Sequence, residues 1–326
     1  MSKGLVSILT PCYNAGGYIH RLLDSILFQT YPNVEIIIVD DGSTDSSADI
    51  IKSYEPKFLD RGYNFVYKYQ ENGGQSSAIN NGLKDVRGEF LMWPDSDDWY
   101  RTSDAIEVFV NKFRTLSNDY AIVRCVPTYM DSITFAERAI SGFDSSENQF
   151  ENCLYNRYFF WGAGNYMVRM TCFDAVNSTR NIYVEKNAGQ NWQMLLPVLQ
   201  KYKCYTLTTS YFNILERVDS HSRGGYGGSW EKEVLRLDAY EKTLVAVLYG
   251  IEMNENSRKK YLDNIKCNYC HKRLELAINY QEPNLAYKYI KLYKSLGGRV
   301  TISRQLLVLL MRMPNLYQII LKILKR

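Results

Sequence analysis

The chain of 326 residues is 46% hydrophobic and 23% charged, with 39 Lys and Arg against 35 Asp and Glu. This composition is typical of a globular protein with a sizeable core, and it excludes disordered, collagen-like and disulfide-rich miniprotein classes. The net charge of +4 is unevenly divided: residues 231–326 hold 18 basic and 9 acidic side chains, whereas residues 1–230 hold 21 and 26. No acidic residue follows Glu282. A basic end of this kind indicates an anionic surface as its partner.

The cysteines and the N-terminal segment predict a reducing, cytoplasmic location. Seven cysteines are scattered along the chain, and the opening segment MSKGLVSILTPCYN has only a strand-length apolar run. These features favour free thiols and no secretory signal. The apolar run 306–311 is interrupted by Arg312 and Pro314, so we expect no membrane-spanning helix.

The first 130 residues alternate between strand-like and helix-like hydrophobic periods. The pattern predicts strands at 5–10, 34–39, 65–69, 90–93 and 120–126, with helices at 19–27, 44–54, 75–83 and 104–113, Thr44 and Asp104 acting as caps. Such alternation predicts an α/β fold with a mainly parallel sheet flanked by helices on both faces. Ligands of such folds bind outside the carboxyl ends of the strands.

Those strand ends carry unusual polar runs: Thr10-Pro11-Cys12-Tyr13-Asn14, Asp40-Asp41-Gly42-Ser43 and Asp95-Ser96-Asp97-Asp98. Any one aspartate is explained by a turn or a helix cap. Five carboxylates at one sheet edge, however, would repel one another without a bound cation or hydrogen-bond donors. Hard oxygen ligands with no nearby Cys or His favour Mg²⁺ or Mn²⁺ shared with substrate phosphates. The sequence has neither a dinucleotide fingerprint nor a P-loop.

An ordered set of segments resembles the family 2 glycosyltransferases, whose fold is the Rossmann-like GT-A fold. The segments are SILTPCYN, SILFQTYPNVEIIIVDDGSTD, ENGGQSSAINNGL, GEFLMWPDSDDWY and RVDSHS, within about residues 4–223. The resemblance implies a nucleoside-diphosphate sugar as donor, most often a UDP-sugar. It also implies nucleotide contacts at Thr10, Pro11, Tyr13, Asp41, Gln75, Asn80, Asp95 and Ser96.

The resemblance further assigns the metal ligands. Asp95 and Asp97 form the D-x-D element, with Asp97 on the metal and Asp95 near the ribose or the metal. His221 resembles a histidine that closes over the metal or diphosphate, although a lone histidine is as often a plain surface or core residue. The glycine run 224–228 is either a lid hinge or a linker. Ile79 stands where the family usually has an arginine, which departs from the expected base or phosphate contacts.

The catalytic base departs from the family pattern. Inverting members usually place Glu-Asp at the start of a helix, where one carboxylate takes the proton of the attacking hydroxyl. This chain has Gln190-Asn191 there, and the amide of Asn191 cannot accept that proton at neutral pH. Glu185 and Asp98 are the remaining candidates. We favour Glu185, the alternative being a solvated loop acid.

Two other segments were assigned without the family pattern. Residues 161–166, with Arg169, combine aromatic and small side chains that suit a sugar ring, or alternatively a core strand with a bulge. Cys267-Asn268-Tyr269-Cys270-His271 spells a haem-attachment motif, but its basic, helical surroundings indicate two thiols on one helix.

The C-terminal part is predicted to be helical. We place a GT-A nucleotide-sugar-binding and catalytic domain at 1–229 and a helical region at 230–326. From residue 304 onward, large apolar residues alternate with Arg and Lys, and Pro314 interrupts the helix. This composition favours a helix lying on an anionic membrane surface, on the inner face of the cell membrane, over a helix docked on the core or on a second copy.

The combined prediction is a metal-dependent, inverting glycosyltransferase that adds a sugar to a hydroxyl of a glycan or lipid-linked glycan in cell-surface polysaccharide synthesis. Two rivals stay open: a non-catalytic sugar-nucleotide-binding protein, which the Gln190-Asn191 pair favours, and a sugar nucleotidyltransferase. The latter needs a cationic triphosphate loop, and residues 10–17 contain no cation. Nucleic acid is not expected as a partner because leucines and isoleucines interleave the basic residues. The sequence leaves a homo-oligomer open.

Overall fold

A computed structural model describes residues 1–140, 142–160, 162–217 and 229–313. The chain divides into two compact units, Met1–Gly225 and Tyr226–Arg326. Among the described residues, no helix has the length and apolarity needed to cross a membrane.

The first unit alternates strands and helices. Its strands are β1 (Ser2–Cys12), β2 (Val34–Asp40), β3 (Asn64–Tyr69), β4 (Gly88–Met92), β5 (Trp99–Tyr100), β6 (Tyr120–Cys125), β7 (Thr128–Asp131), β8 (Glu137–Ala139), β9 (Tyr166–Arg169), β10 (Lys203–Leu207) and β11 (Phe212–Glu216). Its helices are α1 (Ile19–Leu27), α2 (Ser47–Asp60), α3 (Gln75–Leu83), α4 (Ala105–Thr115), α5 (Phe150–Tyr155), α6 (Met170–Val176) and α7 (Asn191–Lys201).

Seven strands form one mainly parallel sheet in the order β10-β6-β9-β4-β1-β2-β3. Within it only β9 runs antiparallel to its neighbours, β4 and β6. Every residue of β2 is buried, as expected for a strand covered by helices on both faces. The predicted α/β fold with a mainly parallel, helix-flanked sheet is confirmed. A second sheet of four strands has the order β5-β11-β7-β8.

The predicted start of α2 is wrong. The helix begins at Ser47 rather than after Thr44, and it continues through Pro56 to Asp60. The Thr44 backbone N–H instead donates to Asn14 Oδ1 at 2.8 Å, so this segment is used to join the loops that follow β1 and β2. A local cap signal was overridden by a contact between residues that lie 30 positions apart.

Asp104 precedes α4 as predicted, but its carboxylate does not cap the helix. Asp104 Oδ1 accepts from the Thr102 hydroxyl at 2.6 Å, and the structure gives Asp104 no side-chain cap bond. The buried side chain of Gln29 supplies the acceptor, because Ile106 N donates to Gln29 Oε1 at 3.0 Å. The cap therefore comes from the end of α1, far away in sequence.

Between residues 229 and 313, the second unit contains the helices α8 (Trp230–Gly250), α9 (Glu255–Asn279), α10 (Pro283–Ser295) and α11 (Ile302–Met311). Buried side chains of α9, α10 and α11 share one small core, formed by Leu274, Ala277, Ala286, Ile290 and Val308. Cys267 and Cys270 are free thiols on α9, and Cys270 Sγ lies 3.7 Å from the Tyr289 carbonyl. The interpretation of this pair as helix thiols is confirmed.

A fully buried carboxylate secures the start of β4. Glu35 of β2 accepts from Arg87 N at 2.7 Å, from Gly88 N at 3.1 Å and from the Ser7 hydroxyl. Arg87 Nε lies 3.2 Å from Glu35 Oε2, which compensates the buried charge. Glu35, on β2, thus satisfies polar groups of β1 and of the chain entering β4, so it links the three strands whose carboxyl ends lead to the polar runs.

We expect Glu35→Ala to lower the free energy of unfolding by about 3 kcal/mol, because buried N–H groups lose a charged acceptor. Urea denaturation followed by circular dichroism measures the change. Glu55→Ala, at an exposed position of α2, is the matched control and should alter stability by less than about 0.5 kcal/mol. Equal stabilities of the two variants would contradict the role assigned to Glu35.

Candidate active site

The loops that follow β1 and β2 are joined at the carboxyl edge of the large sheet. Asn14, in a left-handed conformation with φ +47°, donates from its backbone N–H to Ser43 Oγ at 2.9 Å. Thr10 is fully buried, and its hydroxyl oxygen has no hydrogen-bond partner among the described residues. Pro11 is also buried, whereas half of Tyr13 is exposed. The edge therefore offers a buried hydroxyl beside an exposed aromatic ring.

Asp41 is buried and fixes the loop that leads into α3. Its Oδ1 accepts from Gln70 Nε2 at 2.7 Å and from Gly73 N at 2.9 Å, and its Oδ2 accepts from Gly74 N at 2.8 Å. Three donors therefore satisfy this buried carboxylate. The structure thus gives Asp41 a positioning role, and its predicted contact with a base stays a prediction.

Asp95 and Asp97 lie together beyond the end of β4. Gln190 Nε2 donates to Asp95 Oδ1 at 3.1 Å, and Gln75 Nε2 lies 3.3 Å from the same oxygen. Burial and the neighbouring charge of Asp97 raise the pKa of Asp95 to about 7. Two neighbouring carboxylates in desolvated surroundings repel each other, and a bound cation relieves that repulsion.

Arg217 supplies a cation at this point, and the sequence analysis did not single it out. Its Nε lies 3.2 Å from Asp97 Oδ2, and its guanidinium lies 4.7 Å from the centre of the Tyr18 ring. The residue directly follows β11, so the small sheet carries it to the large one. The signal in the sequence is its position at the start of the RVDSHS segment, which also contains His221.

Asp98 faces away from this pair, toward the small sheet. It is buried, and its Oδ1 accepts from Leu215 N of β11 at 2.9 Å. This bond anchors β11, and with it Arg217, to the D-x-D segment. Ser96 is half-buried between the two aspartates. The predicted catalytic role of Asp98 remains untested.

The loop between α6 and α7 closes one side of the site. The side chain of Asn80, on α3, makes two hydrogen bonds with the backbone of Ile182. Asn80 Nδ2 donates to the Ile182 carbonyl at 2.9 Å, and Ile182 N donates to Asn80 Oδ1 at 2.8 Å. Gly74 has φ +89°, and a Cβ there would lie 3.2 Å from the Lys186 backbone. Asn80 therefore holds the loop against α3, and its predicted contact with a nucleotide stays a prediction.

Glu185 belongs to the same loop and is half-buried. Its carbonyl accepts from Ala188 N at 3.1 Å, and Asn187 N lies 3.4 Å from Oε1. The neighbouring Lys186 packs on Gly74, at the entrance to α3. Glu185 thus belongs to a turn at the same edge as Gln75, with a carboxylate that solvent reaches.

Asn191 is the first residue of α7, as the alignment with the family pattern requires. Its Oδ1 accepts from the indole N–H of buried Trp93 at 3.2 Å. Gln190 is buried immediately before the helix and faces Asp95. Both amides therefore make hydrogen bonds to the segment that follows β4 and contains the D-x-D element.

The described part of the 161–166 segment belongs to the core. Ala163, Gly164 and Tyr166 are buried, and a Cβ on Gly164 would lie 2.0 Å from the Phe212 ring. Direct contact of these residues with a sugar ring, one of two alternatives from the sequence, is therefore wrong for this part. Close packing on β11 explains the small side chains.

Other predicted features lie outside the described residues: Trp161, the candidate metal ligand His221, the glycine run 224–228 and the chain beyond 313. Among the described residues, no three His, Cys, Asp or Glu side chains cluster as a metal site. Asp95 and Asp97 do form an all-oxygen pair. That pair fits Mg²⁺ or Mn²⁺, which proteins often hold through one or two carboxylates plus substrate phosphates.

Comparison with known sequences identifies the family. A sequence model of Glycosyl transferase family 2 matches residues 7–176, just over half of the chain. The chain belongs to this family. An uncharacterized glycosyltransferase of Rickettsia typhi is 43% identical over 121 residues, which cover 37% of this chain and 36% of that protein. The putative teichuronic acid biosynthesis glycosyltransferase TuaG of Bacillus subtilis is 33% identical over 156 residues, covering 47% and 61%.

The match thus spans about a third of the length of the Rickettsia relative. Solved structures extend the likeness in fold. S. aureus TarS 1-349 in complex with UDP-GlcNAc has a TM-score of 0.59 at 15% identity and covers 90% of each chain. The mannosyltransferase PcManGT of Pyrobaculum calidifontis, in complex with GDP-Man and Mn²⁺, has a TM-score of 0.54 at 16% identity, covering 96% and 80%. The family 2 chain therefore has the GT-A fold.

Proposed function

We propose that this chain transfers a sugar from a nucleoside-diphosphate sugar, a UDP-sugar in the first instance, to a hydroxyl of a glycan or lipid-linked glycan in surface polysaccharide synthesis. One observation carries the proposal: Asp95, Asp97 and Arg217 meet at the carboxyl edge of a family 2 sheet. TarS with UDP-GlcNAc and PcManGT with GDP-Man support a nucleotide sugar as donor. TuaG, by its name a teichuronic acid biosynthesis glycosyltransferase, supports a surface polysaccharide.

The donor nucleotide is assigned to the edge formed by the loops after β1 and β2. Tyr13 offers an exposed ring for stacking with the base, whereas the Thr10 hydroxyl is enclosed within the end of β1 and supports this edge from below. Asp41 keeps the 70–74 loop in place beside them. Gln75, at the start of α3, presents its amide to the same edge. These contacts bind and orient the nucleotide, and the chemistry then falls to the diphosphate end.

Asp95 and Asp97 would hold a divalent cation. Such a cation, when bound, neutralises charge that develops on the nucleoside diphosphate as it leaves. Arg217 adds a fixed positive charge beside Asp97, which serves the same diphosphate. Gln190 donates to Asp95 and keeps its carboxylate oriented.

Direct displacement inverts the anomeric carbon and needs one base to take the proton of the attacking hydroxyl. Glu185 is assigned this role because its half-buried carboxylate lies in the loop beside α3. Asp98 is the weaker candidate, since its carboxylate accepts from Leu215 N. Asn191 accepts from Trp93 and positions the D-x-D strand instead.

One observation favours a second function, a sugar-nucleotide-binding protein without catalysis. Gln190 and Asn191 stand at the start of α7. Inverting members of the family usually have a glutamate and an aspartate at these two positions. Such a protein would bind a nucleotide sugar and never release the nucleoside diphosphate. Product release therefore separates the two functions.

The first experiment measures nucleoside diphosphate released from UDP-glucose, UDP-GlcNAc and GDP-mannose. We expect release with Mn²⁺ or Mg²⁺, loss of release in EDTA, and a fall of about 100-fold or more in Asp97→Asn, which removes one of two negative charges facing the cation. Asp60→Asn, at the exposed end of α2, is the control. Tight binding of all three donors with no release would establish the second function, and equal release with EDTA would contradict metal dependence.

A separate variant tests the base. Glu185→Gln should lower kcat for sugar transfer by about 100-fold or more, because the amide cannot accept a proton. Nucleotide affinity, measured by calorimetry with UDP, should stay within about twofold, since the change lies outside the nucleotide contacts. Glu55→Gln is the exposed control. Near-normal turnover of Glu185→Gln would exclude this residue as the base.

We also propose that α11 binds an anionic membrane surface. Ile302, Leu306 and Leu309 recur at the spacing of one helix face and are 76%, 54% and 46% exposed. Arg299 precedes the helix, Arg312 follows it, and no acidic residue follows Glu282, whereas Arg304 pairs with Glu275. An exposed apolar stripe beside cations is the composition of an interfacial helix. Such a site would keep the enzyme near lipid-linked acceptors.

Flotation with vesicles of phosphatidylglycerol and phosphatidylcholine tests this proposal. We expect the triple change Ile302→Glu, Leu306→Glu and Leu309→Glu to reduce the bound fraction about tenfold or more, because it removes apolar area and adds repulsive charge. Leu235→Glu, at a position of α8 that is 58% exposed, is the control. If the triple variant floats as well as the native chain, the apolar stripe does not bind the membrane. If the native chain is a dimer that the triple change dissociates, the stripe binds a second copy instead.

A further inference from the structure

A cavity of about 290 Å³ lies beside the small sheet, apart from the Asp95–Asp97 pair. Its walls come from β7, β8, the end of β11 and the segment before β9. The side chains that matter for its chemistry are Tyr129, Arg138, Tyr158, Phe159, Phe160 and Glu216. None of them is used by the donor site described above. The volume is close to the lower end of small-ligand sites, which is about 300 Å³.

One wall combines an aromatic ring with a held cation. Tyr129 and Arg138 are opposite each other in the antiparallel pair β7–β8, and the Arg138 guanidinium lies 4.6 Å from the centre of the Tyr129 ring. Arg138 Nε lies 3.3 Å from Glu216 Oε2. The Arg138 side chain is 59% exposed, so N–H groups that do not face Glu216 reach solvent. The wall thus presents fixed hydrogen-bonding groups next to a ring.

The opposite wall is rigid. The guanidinium of fully buried Arg124 lies 5.3 Å from the Phe159 ring and 4.7 Å from the Phe160 ring. Tyr166 donates from its hydroxyl to the Phe160 carbonyl at 2.6 Å. These contacts hold both phenylalanines before any ligand arrives, which lowers the entropic cost of binding.

Tyr158 completes the rim in an unusual conformation. Its φ is +52°, a left-handed region that bulky side chains rarely adopt, and its side chain is 69% exposed. The backbone is therefore strained at Tyr158, a residue whose large ring lines the cavity. Strain of this kind is concentrated at binding sites.

We infer that this cavity is the subsite for a sugar ring of the acceptor glycan, an inference that rests on the proposed transferase function. Pyranose rings have apolar faces that pack on aromatic rings and hydroxyls that bond to groups such as Arg138 and Glu216. Tyr158 and Tyr129 supply the rings, and the Arg138–Glu216 pair fixes the orientation of the hydroxyls. The mixture of rings and charge fits a saccharide better than an apolar ligand.

Two connections place this subsite next to the donor site. Glu216 of the cavity is directly followed in the chain by Arg217, which faces Asp97. Phe159 stacks on Tyr166 with ring centres 5.6 Å apart, and Tyr166 stacks on Trp93 at 6.4 Å. Trp93 in turn donates to Asn191 at the start of α7. The cavity is thus linked, along the chain and through packed rings, to the residues that position Asp95 and Asp97.

Saturation-transfer NMR with the full chain tests the subsite. The probes are methyl β-glucoside, methyl β-galactoside and methyl β-N-acetylglucosaminide, at up to about 50 mM, because single sugar rings bind in the millimolar range. Tyr158→Asn removes the ring while keeping a residue that tolerates positive φ. We expect it to weaken binding of the best probe about tenfold, with Arg138→Gln behaving alike. Tyr249→Asn, at an exposed position of α8, is the control.

The outcomes separate this inference from the proposed function. Weaker sugar binding in Tyr158→Asn, with UDP affinity unchanged, supports the subsite. Unchanged sugar binding in both cavity variants, or no binding of any probe to the native chain, overturns the subsite and leaves the transferase proposal standing. Failure of the native chain to bind UDP or to release it from a nucleotide sugar overturns the transferase proposal itself.

Discussion

Repulsion between the carboxylates of Asp95 and Asp97 is the constraint on which the arrangement of the first unit depends. Two negative charges in partly desolvated surroundings need donors and cations. The fold brings these from three distant elements: Gln75 begins α3, Gln190 precedes α7, and Arg217 follows β11. Asp98 accepts from the backbone of β11. This bond joins the segment that holds the two repelling aspartates to the strand that leads into Arg217. The small sheet is therefore part of the electrostatics of the site.

Several motif residues at this edge act on the protein itself. Asp41 uses both oxygens to hold backbone N–H groups of the 70–74 loop, and Asn80 uses both ends of its amide to hold Ile182. Both residues thus anchor loops, because the backbone N–H and C=O groups of irregular segments need hydrogen-bond partners. The loop anchored by Asn80 also carries Glu185. Asn80 therefore anchors the loop, and Glu185 is the residue of that loop proposed as the base.

The sequence predicted β1 to β4, β6 and the existence of α1 to α4, because each is specified by a local hydrophobic period such as that of α1, but it gave no sign of the two-residue strand β5. It also predicted which strand ends would meet. It missed contacts that depend on residues far apart: the cap of α4 by Gln29, the displaced start of α2 and the ion pair of Arg217. The aromatic cavity was missed for the same reason, since its lining residues are spread from Tyr129 to Glu216 and no periodic pattern marks them.

The amide at position 190 follows from the charge of the same pair. Gln190 Nε2 donates to Asp95, whose pKa is already raised by burial and by Asp97. A glutamate there would place a third negative charge against the same oxygen and offer no donor at neutral pH. The amide therefore relieves repulsion in the free protein, but it removes a proton acceptor from the start of α7. A transferase built this way must take its base from elsewhere along the edge, and the 182–190 loop, which already packs on α3, brings Glu185 there.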